Sequence, residues 1–365
     1  MPMPVEITTI NCPVCSSKNI KKHGTQKKKL QTLQRYFCKD CRKTFTLQPQ
    51  IRNKTYPAKI ILNAISQYSL GHPQTEISKL LVKRHKIKVP QKTISNWLKE
   101  YLQICSYSKL RSEAIKLYRP NDILFSKTFH HIQPYTFKYH KAKLYLLFHN
   151  KLYNNQFHNN QFHNISHFYA PIKSYLEKIP TEKFPHHIFT YNKNNNLNNN
   201  PNDQRASQLK FNHLKITHVQ KQNQANQLAK LALNLAATNK QRHQAIQDFM
   251  LINDSTTIAT EIPVYLTNWD AGYYRNQKGF IFPLNNYTTP ITGHIDILQI
   301  RNKLIHILDY KPEANKIHPI EQLTIYAMAL SRKLNLELYH FKCAWFDENN
   351  YFEFFPLQGV YEKQK

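Results

Sequence analysis

The chain has 365 residues and a formal net charge of +29, with 41% hydrophobic residues. That length suits two or three domains, and that apolar content excludes a wholly disordered chain. No run of 18 apolar residues occurs, and MPMPVEITTI lacks a basic stretch ahead of an apolar core. Neither a membrane span nor a secretory leader is therefore expected, and the cytoplasm is the expected location. The charge is unevenly placed. Residues 1–120 carry 24 Lys or Arg against 5 Asp or Glu, whereas residues 255–365 carry 11 of each. A lysine-rich compositional bias, visible in abundant Asn and Ile and only six glycines, explains part of the excess but not the neutral final third. The basic end reads as the electrostatic footprint of a nucleic-acid-binding arm, with DNA the expected partner. A homodimer is one open alternative for the oligomeric state.

Residues 1–50 contain CPVC and, after a gap of 22 residues, CKDC. Cys12, Cys15, Cys38 and Cys41 in two such knuckles suit a closed tetrahedral Zn2+ site of structural type. Two disulfides are the alternative. A module this small and this basic buries little apolar surface, so the ion would supply its folding energy. HGTQKKKLQTLQRYFCKDCRKTF resembles the zinc ribbon of insertion-sequence transposases, with Gly24, Gln34, Arg35, Tyr36 and Phe45 at the matching places. The resemblance implies DNA binding, with Arg35 among the contacts.

Residues 54–105 read as three helices. The first starts at Pro57, a favoured first-turn residue, and carries Ile60, Ile61, Ala64 and Ile65. Gly71-His72-Pro73 ends it. The second runs from Gln74 to Arg84. The third opens at Pro90, with Ile94, Trp97 and Leu98 as its apolar stripe. Lys92, Thr93, Ser95 and Asn96 would face outward near its start, where a recognition helix meets bases and phosphates. A plain three-helix scaffold fits the same pattern, but a helix-turn-helix after a zinc ribbon resembles transposase architecture.

Residues 106–203 are the least legible. Strand-like runs mix with clustered His, Tyr and Lys, and no acidic triad is visible. This region reads as a decayed domain or a linker domain with its own core. It includes a duplicated NNQFH and a linker candidate, YNKNNNLNNNPND, at 191–203.

Residues 204–365 carry the chemistry. Helices over 204–253 lead to a strand, Ile258 to Leu266, that contains the lone acid Glu261. GHIDILQIRNKLIHILDYKPEA then reads as a hairpin turning at Arg301-Asn302-Lys303. Asp309 and Lys311 share a face by strand alternation, and Asp296 can reach it from the partner strand. Two acids can hold a hard cation such as Mg2+ or Mn2+. PIEQLTIYAMALSRKL reads as an amphipathic helix with Gln322 and Tyr326 on one face. Taken alone, D-x-K better suits a solvated surface hairpin, and the neighbouring motifs reverse that preference.

In order and spacing, Glu261, Gly293 with Asp296, Asp309 with Lys311, and Gln322 with Tyr326 resemble the PD-(D/E)XK nucleases. The RecB-type branch, which includes the CRISPR-associated adaptation nucleases, shows this series. The resemblance covers roughly residues 240–356. It implies an α/β restriction-endonuclease-like fold, a small mixed sheet flanked by helices, and Mg2+- or Mn2+-dependent cleavage of phosphodiester bonds. It makes Asp296 and Asp309 metal ligands, aided by the Tyr310 carbonyl. Lys311 would activate water, and Gln322 and Tyr326 would position the strand. A histidine on the preceding helix also binds metal in many such proteins, and His243 in RHQAIQDFM is the candidate. The cysteines that hold an iron–sulphur cluster in some relatives are missing, so no cluster is expected. Domain pairing suggests a link to mobile elements or genome defence. The rival expectation is a transposon-derived DNA-binding regulator whose nuclease-like domain is non-catalytic.

Overall fold

The computed structural model describes residues 11–28, 30–46, 55–131, 133–148, 163–189, 205–209, 218–236, 238–281 and 290–361. The linker candidate at 191–203 and nearly all of the NNQFH duplication lie outside the described residues. The amino end forms an antiparallel sheet of β1 (Ile20–Lys28), β2 (Gln31–Cys38) and β3 (Thr44–Thr46). A bulge between Lys22 and Thr25 holds Gly24 at φ 69°, and Gln34 Nε2 donates to the Gly24 carbonyl at 2.7 Å. Tyr36 stacks on Phe45.

Three helices follow: α1 (Ala58–Ser69), α2 (Gln74–His85) and α3 (Gln91–Tyr101). Their apolar stripes meet at Ile60, Ile61, Ile77, Leu81, Ile94 and Trp97, all buried. Next come α4 (Arg111–Leu117), β4 (Leu124–His130), β5 (Pro134–His140), α5 (Lys141–Phe148) and α6 (His163–Lys178). The carboxyl part contributes β6 (Val219–Gln220), α7 (Gln224–Ala232), α8 (Arg242–Asn253), β7 (Thr257–Leu266) and α9 (Asn268–Asn276). It ends with β8 (Ile291–Arg301), β9 (Leu304–Tyr310), α10 (Ile320–Leu334), β10 (Phe341–Phe346) and β11 (Tyr351–Phe354).

One mixed eight-stranded sheet, ordered β4-β5-β7-β8-β9-β10-β11-β6, organises everything after the amino-terminal module. All neighbouring pairs are antiparallel except β9 and β10, which are parallel and joined through α10. A parallel pair needs such a crossover, whereas β8 and β9 close with a two-residue turn. Asn302 and Lys303 both take left-handed φ there, 53° and 61°, as a twist-matched hairpin turn demands.

Two differences from the sequence reading stand out. Among its described residues the 106–203 region keeps only a small cluster to itself, around Tyr107, Ala114 and Ala142. Its strands β4 and β5 extend the main sheet, and Phe137, Leu144, Tyr175 and Leu176 join the same apolar cluster as α10. Its own polar pattern hid this, because the partners that bury these residues lie more than a hundred residues away. The α10 helix is also buried more completely than its amphipathic pattern implies: every residue from Leu323 to Ser331 is buried. Packing on more than one side overrides the stripe that one polar face would show.

The three helices α1–α3 are not a detached unit either. They share one core with α7, α8 and the sheet residues Ile297, Leu308, Tyr310 and Phe346. Arg111 donates to the carbonyls of Tyr68, Gly71 and His72 at the carboxyl end of α1. No helix among the described residues is long and apolar enough to cross a membrane.

Lys143 fixes the corner between α8 and β7. It is fully buried, and its Nζ donates to the carbonyls of Leu251 at 2.6 Å, Thr257 at 2.9 Å and Asp254. Burial lowers its pKa to about 7. Lys143→Met should leave those carbonyls without a donor and cost about 3 kcal/mol of stability. A denaturant melt showing less than a third of that loss would remove Lys143 as the clamp.

Candidate active site and metal centres

At the amino end the four cysteine sulphurs lie within 4.8 Å of one another. Cys12 and Cys41 are 3.5 Å apart, as are Cys15 and Cys38. Left-handed Ser16 and Arg42, at φ 60° and 57°, bend the chain just after each knuckle. Four thiols this close cannot all ionise unaided. Against the cost of burial, the backbone N–H groups of Cys15 and Val14 draw Cys12 down to about 6. Despite a backbone donor at Ser17, burial and the neighbouring thiols push Cys15 up to about 12. The donor set and its tetrahedral spacing fit Zn2+, which all four cysteines would hold.

The candidate DNA contacts are distributed as follows. On α3, Lys92 and Asn96 are exposed, while Thr93 and Ser95 are half-buried. Arg35 is half-buried on β2, with Nη2 3.4 Å from Thr44 Oγ1.

The second centre depends on register. Thr260 pairs with Ile297 and Ile262 with Ile295, so Glu261 on β7 falls opposite Asp296 on β8. Ile297 pairs with Leu308, so Asp296 also falls opposite Asp309 on β9. Glu261 itself adopts φ 55°, a left-handed conformation that is strained for a residue with a side chain. Gln247 on α8 donates to its Oε1 at 2.6 Å. His243, one turn earlier on α8, places Nδ1 3.6 Å from Asp296 Oδ2. Lys311 Nζ lies 2.8 Å from Asp309 Oδ2.

Glu261, Asp296, Gln322, Tyr326, Gly293 and His243 line a cleft of about 450 Å³. Asp309 and Lys311 are not on its wall. Asp309 is 2% exposed and lies behind Asp296. Gln322 Nε2 donates to the Tyr326 hydroxyl at 3.0 Å. The Tyr326 ring presses on Gly293, where an added Cβ would fall 2.2 Å from Cε1. That contact explains the glycine of the G-x-x-D motif without any demand on φ.

Burial and the neighbouring Asp296 push Glu261 up to about 7 and hold Asp309 well above the usual carboxylate range. Burial also opposes ionisation of Asp296, yet hydrogen bonds to His243 and Asp309 keep it below that range. Asp309 thus carries the proton and Asp296 the charge. Lys311 is held above the ordinary lysine value by Asp309 and Asp296 despite its burial. A proton on Asp309 is what a hard cation would replace, so the donor set fits Mg2+ or Mn2+ held by Asp296 and Asp309. Among the described residues, only the cysteine quartet gathers three or more ligand-type side chains within 4.8 Å. The acidic centre therefore offers a carboxylate pair and not a closed cage, which suits an ion that keeps several waters.

Sequence reasoning missed Gln247, although it sits i+4 from His243 and so shares its helix face. It also missed Lys138, His131 and Tyr135, which line the same cleft from the region it could not read, and Arg205 just beyond that region.

Two predictions follow from these centres. Cys38→Ser should abolish stoichiometric zinc and weaken DNA binding while the eight-stranded domain melts as before. Zinc retained at one equivalent per chain would remove the quartet as the ligand set. The second concerns pH. The folded pKa of Glu261 is raised from 4.5 to about 7, so the folded state holds a proton that the unfolded chain has lost. Stability from this group is fullest below the unfolded value and declines as pH rises to the folded one. Mn2+ at Asp296 and Asp309 would offset that loss beside Glu261 and compete with the proton on Asp309, so it should raise the melting temperature by several degrees at about pH 7.5 and far less at about pH 5. Asp309→Asn should stabilise the cation-free protein at the higher pH and erase the Mn2+ gain. An equal gain in parent and variant at both pH values would place the ion elsewhere. No protein-family model matches the chain, and no curated protein or solved structure matches it.

Proposed function

We propose that the chain is a metal-dependent DNA nuclease with a restriction-endonuclease-like catalytic sheet, brought to DNA by its basic amino-terminal arm. The observation that carries this reading is the alignment of Glu261, Asp296 and Asp309 across three adjacent strands, with Lys311 on Asp309 and the cleft in front of Asp296. Asp296 and Asp309 would hold Mg2+ or Mn2+. A bound divalent ion supplies Lewis acidity, neutralising phosphate charge and lowering the pKa of its water. Lys311 orients the attacking water and stabilises the developing negative charge. Glu261, near neutrality, accepts a proton at Oε2 while Gln247 holds Oε1. His243 orients Asp296, and Gln322 with Tyr326 forms a polar rim for the strand. Lys92 and Asn96 on α3, with the zinc module, supply the salt-dependent grip on DNA.

A second reading is a DNA-binding regulator with a non-catalytic sheet. The 2.8 Å contact between Lys311 and Asp309 favours it, because it gives the second acid a partner within the protein. Linear and circular DNA incubated with Mg2+, Mn2+ or chelator separates the two. Asp309→Asn should abolish cleavage and leave DNA binding intact or tighter. Lys311→Ala should slow cleavage roughly a hundredfold, the scale of one lost transition-state contact. Parent-like cleavage by both variants, or none by the parent with either ion, leaves the regulator.

A further inference from the structure

The cleft has two unlike walls. One carries Glu261, Asp296 and Gln247. The other is aromatic and is built from β5, β8 and the segments that follow β4 and α6. Tyr135 lies 4.1 Å from the His294 ring and 4.5 Å from His131, centroid to centroid. Phe189, which also lines the cleft, stacks 4.4 Å from His131 with planes 16° apart. Tyr135, His131 and His294 are half-buried, so part of each faces the cleft.

These imidazoles are ordered by a chain of hydrogen bonds. His186 Nε2 lies 2.8 Å from the Ile179 carbonyl, which can only accept, so Nε2 carries the hydrogen. His186 Nδ1 must then accept from His131 Nε2 at 3.2 Å. His131 Nδ1 in turn accepts from His294 Nε2 at 3.1 Å. One backbone carbonyl thus sets the tautomer of three rings and fixes their planes. Burial and the neighbouring rings pull His131, at the centre of this chain, down to about 3, so that ring stays neutral. A neutral, preordered aromatic surface is a stacking platform and not an anion site.

Position adds the second half. Thr292, His294 and Asp296 all line the cleft from one strand. His294 and Asp296 are two residues apart, roughly 7 Å along a strand. That is comparable to the separation between a base and its own phosphate. Arg205 and Lys240 stand around the same cleft and match a phosphate backbone, while Lys138 beside them is paired with Asp248. At about 450 Å³ the space is of small-ligand size, room for a nucleotide or two and not for a duplex. We propose that the Tyr135–His131–His294 wall is a stacking subsite for one unpaired nucleobase, on a strand whose phosphodiester lies at Asp296 and Glu261. The strand's polarity at the acids rests on the nuclease reading; the stacking itself does not. Base stacking on aromatic side chains is tolerant of sequence, so the subsite selects for an unpaired strand and not for a particular base.

The test uses the full-length protein with a short single-stranded oligonucleotide carrying 2-aminopurine, and Ca2+ in place of Mg2+. The fluorophore should be quenched on binding, and quenching should persist in Tyr135→Phe, which keeps the ring. Tyr135→Leu keeps the apolar bulk and loses the ring, so quenching should vanish and affinity should fall roughly tenfold. An oligonucleotide with an abasic position in place of the fluorophore should bind the parent about tenfold more weakly. This arm decides the matter even if Tyr135→Leu does not fold. Unchanged quenching in a folded Tyr135→Leu, or abasic binding as tight as the intact strand, overturns the subsite. Cleavage is scored in parallel with Mg2+. Ring-dependent quenching without cleavage upholds the subsite and removes the nuclease. Cleavage without ring-dependent quenching removes the subsite and spares the nuclease.

Discussion

The register of three antiparallel strands governs this molecule. Side chains alternate along a strand, so a one-residue slip between β8 and β9 would carry Asp309 away from Asp296. The slip is resisted by the apolar residues around the acids. Ile295, Ile297, Ile305 and Ile307 are each fully buried, and each contributes roughly 1.5–3 kcal/mol when removed from water. Bringing carboxylates together opposes this, but protonation of Asp309 caps the repulsion at the cost of one altered pKa. The apolar register therefore prevails, and the acids meet because their neighbours leave them no other place.

The α8 helix ties this centre to the rest of the chain. Its early residues His243 and Gln247 reach Asp296 and Glu261. Its later residues Phe249 and Met250 belong to the core that also holds α1 and α3. Asn253 at its end donates to Ser66 on α1 at 3.0 Å, and Lys143 satisfies the carbonyls beyond. One helix thus contributes at once to the packing of the candidate recognition helices and to the polar shell of the acids.

How much of this was legible in the sequence varies with the range of the forces involved. The cysteine knuckles, the three amino-terminal helices and the β8–β9 hairpin rest on local spacing and turn chemistry, and each is present. The juxtaposition of Asp296 with Asp309 could be inferred, since a hairpin has one register. Glu261 needed a third strand, and its left-handed backbone gives no signal in composition. The edge hairpin β4–β5 was unreadable because Phe137 and Tyr139, though they meet Phe125 within the hairpin, are buried in a cluster supplied largely by distant elements. The aromatic wall was lost with it. The burial of α10 through its middle was hidden for the opposite reason: its two buried polar residues, Thr324 and Ser331, bond locally to carbonyls and so mimic an exposed face.

The contact between Gly293 and Tyr326 has a consequence for how such a chain can change over time. The two residues lie on β8 and α10, 33 positions apart, yet they occupy one shared volume. Neither can be altered independently. A methyl group at 293 requires a smaller ring position at 326, and losing that ring opens a void beside the cleft. The pair forms a steric lock whose two halves must be exchanged together. In related chains, a side chain at the first position should therefore accompany a shrunken residue at the second, a signature of shared space that neither motif displays alone.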